Sequence, residues 1–297
     1  MKMIGFSEFG GPEVLRLVDA EEPHAGPGQV RIAVRAAGVN PVDWRLREGQ
    51  VLGAHPIELP AGVGLDAAGV VDEVGAGVEG VRAGDFVFGE GRNTYAEFAV
   101  LSAWARMPEG LTFEEAAGYP SVVETALRVL RETGVAAGQT LLVSGASGGV
   151  GTAVLQLARV RGIKVIGTAG AANQDYLRGL GAAATTYGEG WVERVRALGR
   201  VDAALDLAGS GVLGELAALT GDPAKVITIA DLRAPEFGVR FSGVAGSVPD
   251  ALAEAVGLIA RGELHIPVER AYPLADAAAA HIDSQAGHTR GRRVLLV

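Results

Sequence analysis

The sequence predicts an α/β protein in two parts, a small β-barrel and a doubly wound parallel sheet. Three observations predict it. At 297 residues the chain exceeds one typical domain. Near residue 112 its texture changes from short strands broken by glycine and proline to apolar strands alternating with helical patterns, the signature of βαβ units. A glycine-rich turn, Val143 to Gly151, stands directly between one such strand and a helix.

Residues 1 to about 105 read as β-rich. Gln29 to Ala36 alternates, Val70 to Val74 and Phe86 to Phe88 are short apolar stretches, and Gly10, Gly11, Pro12, Gly26, Pro27 and Gly28 mark turns. Strands at such irregular spacing suit a small coiled barrel. Beyond residue 112, strands are expected at Thr140 to Ser144, Lys164 to Thr168, Thr185 to Tyr187, Val201 to Leu207, Lys225 to Ala230 and Val239 to Val244. Between the first two, Val150, Ala153, Val154, Leu157 and Ala158 repeat at helical spacing and would bury one face on the sheet. The chain then returns to a strand at Leu264 to Val268, an alanine-rich helix from Leu274 to about Gln285, and a strand from Arg292 to Val297. So apolar a final strand needs a sheet to join, and the N-terminal part is the expected host. No internal repeat of fixed period is present.

Composition excludes several function classes. Apolar residues make up 48% and charged residues 21%, an ordinary globular balance, and no run of about 18 uncharged apolar residues could span a bilayer. Met1 to Ile4 lacks the basic and apolar segments of a secretory signal, so the cytoplasm is the expected compartment. The absence of cysteine excludes disulfides, thiol nucleophiles and cysteine-containing zinc sites. A net charge of −9 without a lysine/arginine cluster argues against nucleic acid or an anionic membrane as partner. His24, His55, His265, His281 and His288 lack the paired spacing of metal ligands, and no serine in a G-x-S-x-G pattern stands beside a plausible base.

The strongest chemical signal is Val143-Ser-Gly-Ala-Ser-Gly-Gly-Val-Gly151. Gly148 lets backbone approach a pyrophosphate, the helix start offers free N–H groups, and Gly151 lets the helix pack on the strand. Ala146 holds the first glycine place and is small enough to keep the turn tight. Alone, such a motif is as readily a plain structural turn. The flanking strand, the helix and the next strand ending near Thr168 favour dinucleotide binding, with Ala146, Ser147, Gly148, Gly149 and Val150 in contact. Val165-Ile-Gly-Thr168 ends without Asp or Glu, so NADPH is expected over NADH, its 2′-phosphate served by neutral donors and by Arg178.

These pieces, with Phe9-Gly-Gly-Pro-Glu-Val-Leu15, Ala37-Gly-Val-Asn-Pro-Val-Asp43, Gly64-Leu-Asp-Ala-Ala-Gly-Val-Val71, Thr94-Tyr-Ala-Glu-Phe98 and Gly287-His-Thr-Arg-Gly291, carry an end-to-end resemblance. The chain resembles the zinc-free quinone oxidoreductases of the medium-chain dehydrogenase/reductase superfamily. The resemblance implies a GroES-like barrel of residues 1–107 completed by 265–297, an inserted Rossmann domain of residues 108–264, and a cleft between them for the nicotinamide. It implies Asn40 and Thr125 beside the nicotinamide, Asn173 and Tyr187 near the 2′-phosphate with Thr168, and Ala230 and Phe241 among the further cofactor contacts. Zinc-dependent members carry a cysteine at Asn40 and a histidine at Leu65, so a zinc-independent enzyme is implied.

Plainer readings stand beside these. Asn40 can satisfy its own turn before Pro41, Asp43 can cap a helix or pair an arginine, and Thr125 can bond back along its helix. Trp44, Arg45 and Tyr119 are candidates for the substrate pocket, or a solvated face and packing. Tyr95 and Tyr119 could donate a proton to an oxyanion, yet such aromatics more often pack, and no catalytic acid is assigned. Arg45 replaces a tyrosine of some quinone reductases, and Glu124 stands where the family has an uncharged residue. The function expected is hydride transfer from NADPH to a small quinone or α,β-unsaturated carbonyl, by a homodimer joined near Val239 to Val244. The alternative is a non-catalytic NADPH-binding redox sensor or structural protein.

Overall fold

A computed structural model describes residues 1–50, 57–243 and 250–297. His55 and the Val244 end of the expected strand Val239 to Val244 lie outside the described residues. The chain divides into two compact units: Met1–Ser121 with Leu252–Arg261 and Ile266–Val297, and Val122–Ala251 with Gly262–His265.

The first unit opens with β1 (Lys2–Phe6), β2 (Arg16–Asp19), β3 (Val30–Val39), α1 (Pro41–Arg47), β4 (Ala61–Gly62), β5 (Asp66–Val74), β6 (Phe86–Gly91), β7 (Phe98–Arg106) and α2 (Phe113–Ala116). Strands β3, β5, β6 and β7 pair antiparallel in that order, and β7 returns to β3 with Val30 opposite Leu101 and Ala33 opposite Phe98, closing a barrel. Alternation along β3 sends Val30, Ile32 and Val34 inward against Val71, Val87 and Leu101. Each such side chain contributes about 1.5–3 kcal/mol by leaving water. From Ala36 onward nearly all of β3 is buried, because its second half pairs with the C-terminal strand.

The second unit takes most of α3 (Pro120–Thr133), then β8 (Thr140–Ser144), α4 (Gly149–Val160), β9 (Lys164–Thr168), α5 (Gln174–Gly179), β10 (Ala183–Thr185), α6 (Trp191–Leu198), β11 (Ala203–Asp206), α7 (Leu213–Thr220), β12 (Val226–Thr228) and β13 (Arg240–Phe241). Its sheet is parallel in the order β10-β9-β8-β11-β12-β13. That is the doubly wound order, whose switch point lies between β8 and β11. α8 (Ala251–Ala260), β14 (Val268–Pro273), α9 (Ala277–Ala286) and β15 (Arg292–Leu296) complete the chain, and β15 pairs antiparallel with β3, as its apolar sequence demands.

Several elements differ from the sequence expectation: β12 and, among the described residues, β13 are shorter than the strands expected at Lys225 to Ala230 and Val239 to Val244, and two others differ as follows. The strand expected at Leu264 to Val268 forms later, as β14, parallel to β15. The backbone before it has other partners: the Gln156 amide donates to His265 O at 2.8 Å and accepts from His265 N at 2.9 Å, and Pro267 O accepts from Arg292 N at 2.8 Å. The strand expected at Thr185 to Tyr187 ends at Thr185, opposite Thr168, and Tyr187 is half exposed beyond it. Among the described residues no helix is long and apolar enough to cross a membrane.

Candidate functional site

In the second unit the glycine turn joins β8 to α4 beside the switch point. Gly145 takes φ +81°, which glycine adopts without strain. Ala146 N then donates to Thr168 O at 3.1 Å, tying the turn to the end of β9. The alanine is accommodated because the facing residue is Gly167, where an added Cβ would already lie 3.0 Å from Ala146 Cβ. Gly151 faces the turn so closely that a Cβ would sit 2.5 Å from Gly145 O. Gly148 is the extended N-cap of α4, and a Cβ there would meet only Gly145 O at 3.7 Å. The first N–H groups of α4 have no acceptor within the helix, so this turn offers an open backbone surface to an anion.

The expected 2′-phosphate residues gather at the same end of the sheet. Asn173 Nδ2 donates to Ser147 Oγ at 3.3 Å, Thr168 is buried at the end of β9, and the Tyr187 hydroxyl lies against Gly170, within 3.4 Å of an added Cβ. The first acid after Thr168 is Asp175, on exposed α5, where Arg178 donates to it at 2.6 Å. Arg178 thus stands in an exposed pair on the helix surface. Asp206, buried at the end of β11, accepts from Thr228 Oγ1 at 2.8 Å and Gly209 N at 3.0 Å; burial pushes its pKa up against those bonds. It thereby fixes the loop facing Gly145, whose Cβ would touch Ala208. Ala230 N bonds Thr228 Oγ1, and Phe241 is half-buried on β13. Thr125 Oγ1 accepts from Arg128 Nη2 at 3.3 Å.

In the first unit Asn40 belongs to a buried polar network. Its Nδ2 donates to Asp66 Oδ2 at 2.9 Å, and its backbone N donates to Asp43 Oδ2 at 2.8 Å, capping α1. Asp43 Oδ2 also accepts from the Tyr95 hydroxyl at 2.8 Å, while its Oδ1 is buried without a partner. Burial raises the Asp43 pKa to about 7, opposed by the bonds from Asn40 and Tyr95. Asp66 accepts from Ser121 N at 3.0 Å, from Ser121 Oγ, and from Arg292 Nη2 at 3.3 Å. Burial pushes Asp66 up, and Arg292 foremost opposes it.

Asp43 is thus a cap, and Tyr95 is fully buried with its proton given to that cap. Tyr119 is also fully buried: its hydroxyl accepts from Ile266 N at 3.3 Å, its ring stacks edge-on to Phe88, and burial raises its pKa to about 12. Trp44 and Arg45 are half-buried, with the guanidinium 5.4 Å from the indole centroid. Asp66, Arg292 and Arg128 belong to these networks without a motif in the sequence that marks them as such. Their signal was charge inside otherwise apolar segments, Asp66 in Gly64 to Val71 and Arg292 before Val294-Leu-Leu-Val297. Among the described residues no group of three or more His, Asp or Glu is placed to hold a metal ion.

A family model described as the alcohol dehydrogenase GroES-like domain matches residues 26–120, and one described as a zinc-binding dehydrogenase matches residues 180–295. The sequence is 32% identical to a quinone oxidoreductase of Mus musculus, over 100% of this chain and 98% of that protein. It is 43% identical to a quinone oxidoreductase of Rattus norvegicus over 57% of this chain and 53% of the rat protein, so that match spans about half the relative's length. The structure is similar to the quinone oxidoreductase from Coxiella burnetii, with TM-score 0.88 and 31% identity over 100% of this chain and 99% of that one. It is also similar to the Escherichia coli quinone oxidoreductase complexed with NADPH, with TM-score 0.87 and 26% identity over 100% of both chains.

Proposed function

The chain belongs to the quinone oxidoreductase family of the medium-chain dehydrogenase/reductase superfamily, and from that premise we propose that it reduces quinones or α,β-unsaturated carbonyls with NADPH, without zinc. The observation that carries the proposal is the β8–α4 turn, whose backbone is open at Gly148 and closed to any side chain at Gly151. That cradle fits a dinucleotide pyrophosphate on the α4 N-terminus. When bound, NADPH supplies a hydride from nicotinamide C4.

The chain's residues supply orientation, exclusion of water and hydrogen bonds. Ala146 to Val150 hold the pyrophosphate. Ser147, Thr168, Asn173 and Tyr187 receive the 2′-phosphate, and the lack of a carboxylate at the end of β9 removes the group that would repel it. Ala230, Phe241 and Thr125 complete the cofactor contacts. Asn40, its amide held by Asp66, serves the nicotinamide end, and the proton comes from solvent. The pairing of Asn40 Nδ2 with Asp66 supports an amide that orients rather than one that ligates a metal. Such acceptors are already electrophilic and need no Lewis acid. A homodimer is part of the proposal, supported by β13 standing at the open edge of its sheet; a single-chain mass by light scattering at micromolar concentration would remove it.

Binding and turnover test the reading together. NADPH should quench protein fluorescence more tightly than NADH and be oxidised with at least one member of a panel of quinones, enals and enones. Tight NADPH binding with no turnover across the panel would leave a redox sensor in place of an enzyme.

A further inference from the structure

One charged pair in the second unit, Glu124 and Arg128, is not among the site residues that the family resemblance implies, and it meets them at Thr125. Glu124, Thr125 and Arg128 share one turn of α3, and Arg128 is only 5% exposed. Its Nε donates to both Glu124 carboxylate oxygens, at 3.1 and 3.3 Å, its Nη2 to Thr125 Oγ1 at 3.3 Å, and its Nη1 to Ser242 Oγ. Ser242 follows β13, is itself 5% exposed, and donates from its backbone N to Thr228 O at 2.8 Å. A surface Glu–Arg pair four residues apart adds a few tenths of a kcal/mol to a helix and is solvated. This guanidinium is instead buried and divided among three side chains. Withdrawing a cation from water is unfavourable unless hydrogen bonds compensate, and here Glu124 balances the charge. Glu124, the residue that departs from the family pattern, is thus explained by Arg128.

The consequence lies at Thr125. A guanidinium can only donate, so Thr125 Oγ1 must accept from Arg128, and its own hydroxyl hydrogen is left to donate elsewhere. Among the described residues Thr125 Oγ1 has Arg128 as its hydrogen-bond partner and no protein acceptor for that hydrogen. We propose that Arg128 is a positioning residue that fixes Thr125 as a hydrogen-bond donor to an acceptor oxygen in the nicotinamide half of NADPH. Glu124 and Ser242 hold the guanidinium in the required plane. This assignment rests on the NADPH reading and adds to it the polarity of one contact and the residue that sets it.

The test is a double-mutant cycle on the full chain, read by fluorescence titration with two probes, NADPH and adenosine 2′,5′-bisphosphate. Thr125→Val and Arg128→Met should each weaken NADPH binding roughly three- to tenfold, the value of one hydrogen bond. The double variant should be no weaker than the poorer single. Neither change should alter binding of the bisphosphate, which lacks the nicotinamide half. If Arg128→Met does not fold, Arg128→Lys carries the same test, since it keeps the charge opposite Glu124 without the planar fork that reaches Thr125 and Ser242 together. Equal loss with both probes, multiplying effects in the double variant, or unchanged NADPH affinity would overturn the assignment. Wild-type protein that fails to bind NADPH would overturn the cofactor reading and this assignment with it.

Discussion

Replacing Asp43 by asparagine should stabilise the protein at neutral and alkaline pH while leaving it unchanged near pH 4. In the wild type Asp43 Oδ2 accepts from Asn40 N and the Tyr95 hydroxyl, whereas Oδ1 is buried with no donor. Ionisation therefore places charge on an oxygen that nothing solvates, and burial raises the pKa from the ordinary 3.8 to about 7. An acid whose folded pKa is raised favours folding in its neutral form. Its contribution is complete below about pH 4, is lost as pH rises to about 7, and is constant beyond. A pKa moved from 3.8 to about 7 corresponds to ~4 kcal/mol of folding free energy. In Asp43→Asn the amide oxygen can accept both bonds and no charge develops. Other groups also titrate: His281, pushed down to about 3 by burial and by Arg47, loses stability as pH falls from 6.5. It is common to both proteins and cancels in the difference between them, which reports Asp43 together with the neighbouring charges of Asp66 and Arg292 that act on it. Urea denaturation from pH 4 to 8 should show the variant gaining up to ~4 kcal/mol across that window. A difference independent of pH would show instead that Asp43 is ionised in the fold throughout that window.

Three other outcomes follow from named contacts. Gly151→Val should abolish NADPH binding and lower the melting temperature, because the Cβ would lie 2.5 Å from Gly145 O; unimpaired titration with NADPH would show the turn is not the cradle. Thr168→Asp should weaken NADPH relative to NADH by roughly tenfold or more, by loss of a donor and repulsion of the 2′-phosphate; equal weakening of both cofactors in parallel titrations would contradict it. Arg47→Met should destabilise by about 2–4 kcal/mol in urea denaturation, since buried Arg47 donates to Gly10 O at 3.0 Å and to His281 Nδ1 at 3.1 Å; a loss below 1 kcal/mol would mean that water replaces it.

The doubly wound sheet was legible because β8 and β9 are apolar runs with α4 periodicity between them, and local pattern suffices there. The barrel's existence was legible in the alternation of β3, but its closure by β7 depends on partners far apart in sequence. The expected strand at Leu264 went astray for the same reason: the amide of Gln156, more than a hundred residues earlier, satisfies that backbone. The glycine turn could be read from its residues together with the strand and helix that flank it. The buried networks could not, because Asp66 meets Arg292 and Arg128 meets Ser242 only after the chain has folded. Glu124 had no account in the sequence since its reason, the burial of Arg128, is a property of packing.

The function proposed for these residues is zinc-independent oxidation of NADPH. The most direct measurement is the rate of NADPH oxidation by protein exhaustively treated with chelator and analysed for metal, in the presence of a quinone or an enone. An undiminished rate in metal-free protein and a higher kcat/KM for NADPH than for NADH are expected. Stoichiometric zinc with activity that vanishes on its removal, or a preference for NADH, would contradict it.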